Sequence, residues 1–326
     1  MWEEKTLETI NPCGFCGERL SVSLFSTYTI EGIRYQYNRC QHCRAVFLAT
    51  RPSTETLAAT YSDDYYGQGE SKFSGIVEFM IDRYRVRRAK LVSRYLPQGG
   101  RCLDIGCGNG RFLAHLSIRG FEICGVELPG KAAERAAHVH GIRLKVGPLQ
   151  PDDFPSNSFD AITLWHVFEH LTNPVQTLEI IYRIIKPQGF LFLSIPNIES
   201  LQAMLFRGHW FHLDTPRHLF LFGPWELIDV IERYSFRCVR RSFYSLEQNP
   251  FGILQSLLNI LFSQRDILFE GLKGKRTRKS LSYAIRISIQ KLFFLLSFPL
   301  FAILATIEAA MGKGGTMELV FQSTKR

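Results

Sequence analysis

The chain has 326 residues, 46% of them hydrophobic and 21% charged, with 26 Phe and 14 Pro. This composition excludes a disordered, collagen-like or long coiled-coil protein, and the length allows two or three compact units with one sizeable core. The excess of 39 Lys and Arg over 30 Asp and Glu, a net +9, suits nucleic acid, an anionic membrane surface or phosphorylated substrates, so its distribution has to decide.

Met1 to Asn11 is acidic and polar, with no basic start followed by an apolar run, so the eight Cys are expected in a reducing cytoplasm. Four of them form two CxxC pairs, Cys13/Cys16 and Cys40/Cys43, separated by alternating, strand-like text. Two such pairs supply four thiolates for one tetrahedral zinc, each pair on its own knuckle; redox use would suit a lone CxxC ahead of a helix better. His42, inside the second pair, is expected to brace the knuckle. Residues 1–50 are thus read as a zinc ribbon and 51–72, rich in turns and tyrosines, as a linker. A helix follows, with Ile76, Phe79, Met80, Val86, Leu91 and Leu96 at helical spacing, ending at Pro97 and Gly99.

From there short apolar strands alternate with helices. Strands are expected at Arg101–Ile105, Glu122–Val126, Arg143–Val146, Phe159–Leu164 and Gly189–Ile195, with helices at Arg111–Arg119, Lys131–His140 and Pro174–Ile185. The βαβα order argues for an α/β fold with a parallel sheet covered on both faces. The first strand runs into LDIGCGNGR, placing Asp104, Gly106, Gly108 and Gly110 at the spacing DxGxGxG. Glycines there let the backbone turn tightly and approach a ligand while the next helix points N–H groups at it. Glu127 ends the next strand, where a carboxylate can accept both hydroxyls of a ribose. An acid ahead of the first glycine suits a cationic, phosphate-free ligand better than a dinucleotide pyrophosphate.

With SFDAITLWHVFEHL, IIKPQGFLFLSIPN and DTPRHLFLF, these motifs resemble the class I S-adenosylmethionine-dependent methyltransferases over roughly Tyr61 to Tyr244. The resemblance implies a Rossmann-like seven-stranded methyltransferase sheet whose last, antiparallel strand is MELVFQ. It also implies S-adenosylmethionine as cofactor, its methionine end on Asp104 and Gly106, its ribose on Glu127 and its adenine beside Leu149. Similar ribbons precede the catalytic block in sugar methyltransferases of this branch, where tyrosines like Tyr65 approach the cofactor. One departure stands out: Gly147 is followed by Pro148 and Leu149 instead of an acid, leaving Asp152 or Asp153 to substitute.

LWHVFEHLTNP then brings His166, Glu169 and His170 to the carboxyl end of the fourth strand, where ligands sit in open α/β sheets. His209, His212 and His218 crowd the loop after the fifth strand, the expected lid, with Trp210 and Phe211. Three readings stand side by side. Glu169 and His170 brace the strand–helix corner; or one of His166, His170 and His218 is a general base; or His166, Glu169, His170 and His218 gather a divalent metal, as in the related small-RNA and quinone-pathway O-methyltransferases, with His166 where those carry an acid.

Residues 73–249 are therefore read as the S-adenosylmethionine-binding methyltransferase domain, with a helix at Pro224–Tyr234 and a strand near Phe236–Ser245. Residues 250–326 are read as an apolar, basic helical hairpin inserted before the last strand. From Phe251 to Lys291 eight Lys or Arg face two acids, so most of the excess charge adjoins the most apolar text. The text Leu292–Met311 is long enough to span a bilayer, but Pro299, Glu308 and the strand that follows argue for lying on an anionic membrane surface instead, peripheral on the inner face, with core packing as the plain alternative. The expected acceptor is a small molecule: a sugar, nucleotide-sugar or lipid-linked glycan. An RNA acceptor is disfavoured because the basic cluster lies beside apolar helices, away from the zinc unit. A non-catalytic binding module is the third class.

Overall fold

A computed structural model describes residues 12–60, 75–262, 264–272 and 281–326. The N-terminal segment forms β1 (Ser21–Tyr28), β2 (Arg34–Cys40) and β3 (Val46–Leu48), an antiparallel meander with one CxxC pair in the turn ahead of β1 and the other at the junction of β2 with the turn to β3. Next come α1 (Thr54–Thr60) and α2 (Gly75–Ser93). The α/β block follows as β4 (Arg101–Ile105), α3 (Arg111–Ser117), β5 (Glu122–Glu127), α4 (Lys131–Ala137), β6 (Ile142–Val146), β7 (Phe159–Trp165), α5 (Pro174–Ile184) and β8 (Ile185–Pro196). After β8 the chain makes α6 (Leu201–Phe206), the two-residue strand β9 (Phe220–Leu221), α7 (Pro224–Glu232) and β10 (Phe236–Ser242). It then inserts α8 (Asn249–Leu261), α9 (Ile267–Leu272) and α10 (Leu281–Ala310) before closing with β11 (Thr316–Ser323).

The main sheet has seven strands in the order β10-β11-β8-β7-β4-β5-β6. β4 to β8 are parallel, whereas β11 runs antiparallel to both β8 and β10. This is the Rossmann-like methyltransferase sheet that the resemblance implied, with the helical insertion just ahead of its last strand. The parallel strands read as continuous apolar runs because both faces are covered. Leu103, Ile105, Ile162 and Leu164 pack toward α5 and α7, while Cys102, Ala161 and Phe192 pack toward α2 and α3.

Three local expectations need correction. β8 begins at Ile185, not Gly189, because Ile185 pairs with Phe159 before the register shifts and Phe190 takes up pairing with Ala161. On α2 the fully buried residues are Ala89 and Val92, small enough to let the helix lie close on the sheet, while Phe79 and Met80, at the apolar spacing, are exposed. The lid, expected as a loop, contains α6, capped by the Ser200 hydroxyl accepting from the Ala203 N–H, and β9.

β9 pairs with β3 through Val46↔Leu221 and Phe47↔Phe220, so the Cys-bearing sheet has the order β1-β2-β3-β9 and is completed by the lid. Fully buried Tyr37 reinforces the join, its hydroxyl 3.1 Å from the carbonyls of both Leu213 and His218.

In the insertion, Leu254 and Leu258 of α8 pack with Leu268 of α9 and Phe301 of α10. The far side of α10 stays open, with Ile285, Ile289, Leu292, Leu296, Leu300, Ile303 and Ile307 repeating at helical spacing along an exposed stripe. Glu308, near the end of the same helix, is buried, bonded to the Gln202 side chain and to the Gly315 N–H.

Candidate functional site

β4 delivers the chain into the glycine turn, where Gly106 and Gly108 hold φ of 72° and 57°. A Cβ on Gly106 would also stand 2.5 Å from the Val167 side chain, so this position tolerates only glycine. The Gly106 and Cys107 N–H groups donate to the Val126 carbonyl at 2.8 and 3.1 Å, locking the turn against β5. Gly110, also at positive φ, is the N-cap of α3.

Two buried carboxylates flank this turn. Asp104 accepts from the Thr163 hydroxyl at 2.6 Å, and burial pushes its carboxyl up to about 7. Glu127 accepts from the Gly108 N–H at 2.6 Å and the Leu128 N–H at 3.0 Å, and burial raises its carboxyl as well. Leu149 is partly buried against the core. Asp153 is engaged locally, pairing with Lys145 and accepting from the Gln150 N–H at 2.7 Å. Tyr65 lies outside the described residues.

At the end of β7 the histidines converge on one acid. His166 sits at φ 56°, an uncommon position for a side chain of its size, with its Nε2 3.2 Å from the Ser194 hydroxyl and its Nδ1 3.4 Å from Glu169 Oε1. Burial and the Arg88 charge push its imidazole down to about 4. Glu169 is fully buried, and neither of its carboxylate oxygens has a hydrogen-bond partner. His218 Nε2 is 4.0 Å from Glu169 Oε1, and its ring packs edge-on against His170 with centroids 4.6 Å apart.

The other ring nitrogens of this pair are committed. His170 Nδ1 is 3.0 Å from the Arg217 carbonyl and His218 Nδ1 is 2.7 Å from the His212 carbonyl. A carbonyl only accepts, so each Nδ1 carries the proton and each Nε2 presents a lone pair. Burial keeps both rings neutral by lowering their pKa, that of His170 to about 4. Ligand atoms of Glu169, His170 and His218 all lie within 4.8 Å of one another. Lone pairs and a carboxylate facing one small buried space repel unless a cation or a proton lies between them. Histidines whose outer N–H is tied to a backbone carbonyl are the usual metal-ligating form. Three donors of this type fit a divalent transition metal better than magnesium.

The thiols converge equally well. Cys13 and Cys43 sulfurs are 3.6 Å apart, those of Cys16 and Cys40 3.5 Å, and all four lie within 4.8 Å of one another. Tetrahedral zinc at a Zn–S distance of about 2.3 Å requires sulfurs roughly 3.8 Å apart. The Cys43 thiol and the backbone at Cys16 and Phe15 stabilise Cys13 as thiolate.

A family model described as a methyltransferase domain matches residues 77–241, half of the chain. The chain belongs to the class I S-adenosylmethionine-dependent methyltransferases. The matched stretch runs from α2 through β10 and takes in the glycine turn, Glu127 and the histidine cluster. Among curated methyltransferases it is similar to the ubiquinone biosynthesis O-methyltransferases of Alkalilimnicola ehrlichii, 31% identical over 109 residues, and Paracidovorax citrulli, 28% over 117 residues. These alignments cover 31% and 33% of this chain and 43% and 48% of the relatives, so the chain spans under half the length of the curated proteins it matches. In fold it is similar to a sarcosine dimethylglycine methyltransferase from Galdieria sulphuraria, described as putative, with TM-score 0.51 at 14% identity over 83% of this chain and 99% of that one. The cyclase SpnF gives TM-score 0.50 at 15% identity, over 84% and 97%. One methyltransferase sheet thus hosts different chemistry, and function must be argued from the site.

Several members of this methyltransferase's site escape sequence reasoning. Ser194 at the end of β8 and Arg88 above Trp165 at 5.0 Å reach the histidines from elements distant in sequence, whereas Asp214, 3.7 Å from His218 Nε2, stands four residues before it in DTPRHLFLF. No local pattern marks Ser194 or Arg88.

Proposed function

We propose that the protein transfers a methyl group from S-adenosylmethionine to a small-molecule acceptor, of sugar, nucleotide-sugar or lipid-linked glycan type. The observation that carries this reading is the pair of buried carboxylates on either side of the glycine turn. Asp104 suits the ammonium of the cofactor's methionine end and Glu127 its ribose. Neither invites phosphate, which sets this turn apart from a dinucleotide site.

The Asp104 carboxyl has to be ionised to receive a cation. With its value near 7, the acid form dominates below that pH, so each pH unit further down costs about tenfold in affinity, with a plateau above. Calorimetric titration with S-adenosylmethionine across this range is expected to trace that curve. Asp104→Asn is expected to flatten it and weaken binding by roughly 10- to 100-fold. Absence of cofactor heat in the unaltered protein would overturn the reading.

For turnover, we assign to His166 the taking of the acceptor's proton, a reading supported by its position at the end of β7 and by the Ser194 hydroxyl 3.2 Å from its Nε2. Glu169, His170 and His218 would hold a divalent cation, which supplies charge to orient and acidify an acceptor hydroxyl. The four N-terminal thiolates would hold a structural zinc with no open position.

We assign α10 to an anionic membrane surface. It is the helix, among the described residues, long and apolar enough to cross a bilayer, with a mean hydropathy of 2.1. Its exposed stripe, roughly 33 Å from Ile285 to Ile307, ends where Glu308 is bonded into the core and β11 rejoins the sheet, so the helix is held flat against its own domain. Lys273 to Lys279, outside the described residues, bring five further positive charges in the sequence just ahead of it. In flotation, recovery with anionic vesicles is expected, falling in high salt and when Lys275, Arg276, Arg278 and Lys279 are neutralised. Equal recovery with neutral vesicles, or none with either, would contradict it.

A further inference from the structure

α2 carries more positive charge than its surroundings neutralise, and the surplus is arranged on one face. Arg83, Arg87 and Lys90 on α2, with Arg94 in the turn that ends it, stand at helical spacing and are exposed. Like charges so placed repel one another along the helix. The acids of α2 do not relieve them: Glu78 bonds Arg85 at 2.7 Å, and Asp82 lies 3.2 Å from His115. No ion pair joins any of the four to a described carboxylate. This stripe forms one wall of a cavity of about 420 Å³. The opposite wall is the top edge of β8, β11 and β10, where Ser194 and Ser242 bring hydroxyls, the Thr316 hydroxyl already donates to Asn249 Oδ1 at 2.8 Å, and Arg240 is paired with Glu318. Arg88 also lines the cavity, and it too is paired, with Glu247 at 2.8 Å.

The cavity opens onto the catalytic rim. Ser194, one of its lining residues, is the hydroxyl that meets His166 Nε2 at 3.2 Å. A molecule bound there would therefore have one end beside the residue placed as base and the other among four unneutralised cations. The volume is that of a small-molecule site, too small to track a polymer backbone. Guanidinium forks match phosphate oxygens in pairs, and a surplus of this size calls for a ligand with more than one negative charge.

We propose that this cavity is the acceptor's anion subsite, in which Arg83, Arg87, Lys90 and Arg94 take a phosphate or diphosphate group that positions the acceptor toward His166. The proposal rests on the methyltransferase reading above and narrows its acceptor to a phosphorylated one.

The test uses the full chain saturated with S-adenosylhomocysteine and titrated with inorganic pyrophosphate. Saturable binding is expected, weakened by salt and by roughly 10- to 100-fold in the exposed double variant Arg87→Gln, Arg94→Gln, with S-adenosylmethionine affinity unchanged. Uridine diphosphate binding more tightly than pyrophosphate would point to a nucleotide-linked acceptor, and geranyl diphosphate binding more tightly to a lipid-linked one. No saturable pyrophosphate binding, equal binding by the double variant, or interaction confined to phosphatidylglycerol vesicles would overturn the subsite. Loss of S-adenosylmethionine binding with pyrophosphate binding intact would instead remove the methyltransferase reading and leave the anion site standing.

Discussion

Replacing Glu169 by Gln is expected to slow methyl transfer by roughly 100- to 10,000-fold while leaving S-adenosylmethionine affinity within about twofold. The substitution keeps shape and volume and removes only charge, which makes it discriminating. If Glu169 merely braces the corner between β7 and α5 as a protonated acid, a neutral amide in its place does little harm. If it anchors a cation together with His170 and His218, the charge is indispensable and the loss is large. Its two partnerless oxygens, and the His218 Nε2 lone pair 4.0 Å from Oε1, favour the second outcome. Elemental analysis should find a second divalent metal in the unaltered protein and lose it in Glu169→Gln. His166→Ala should reduce turnover over the same range but keep that metal, since its role is placed at the acceptor. Full activity in both variants would reduce the cluster to a structural one.

Chelating the metal proposed for the four cysteines, or changing Cys40 to Ser, is expected to have the next largest effect, and a spatially split one. Binding of zinc by four thiolates is worth on the order of 10 kcal/mol in small zinc units, more than the residues between β1 and β3 can supply by packing. Limited proteolysis should therefore open residues 12–49 first. The sheet from β4 to β8 should survive and still bind S-adenosylmethionine, because its strands pair with one another and not with the meander. Turnover, however, should fall with the ribbon: Tyr37 bonds at the Leu213 and His218 carbonyls, and β9 loses its partner when β3 unravels. A metal-free protein with four free thiols, unchanged melting and unchanged turnover would contradict this.

The parts of the protein legible in its sequence are those encoded within one turn of chain. The DxGxGxG corner announces itself because Gly106, Gly108 and Gly110 must all adopt positive φ within five residues, and Glu127 follows at the end of the next strand. The CxxC pairs are legible for the same reason. What stayed hidden depends on contacts between distant segments. Ser194 meets His166 because β7 and β8 are neighbours in register, which places Trp165 opposite Ser194. The buried contact of α2 is hidden because Phe79 and Met80 carry the apolar signal while Ala89 and Val92 are the fully buried residues. The basic stripe on that helix gave no motif, since only the cavity facing it distinguishes it from an ordinary solvated surface.

The join between β3 and β9 also bears on how the chain is made. Val46 leaves the ribosome 175 residues ahead of Leu221, its partner across the sheet. At roughly 5 to 20 residues per second, the meander waits on the order of 10 seconds or more with the β3 edge unpaired. An open apolar edge of that kind, Val46 to Leu48, invites pairing with another nascent chain. Capture of a metal ion by the thiolates is a local event that needs nothing from the rest of the protein. It would hold the three strands in register until the lid arrives, so metal supply during translation, more than in the finished enzyme, would govern how much of the chain escapes aggregation.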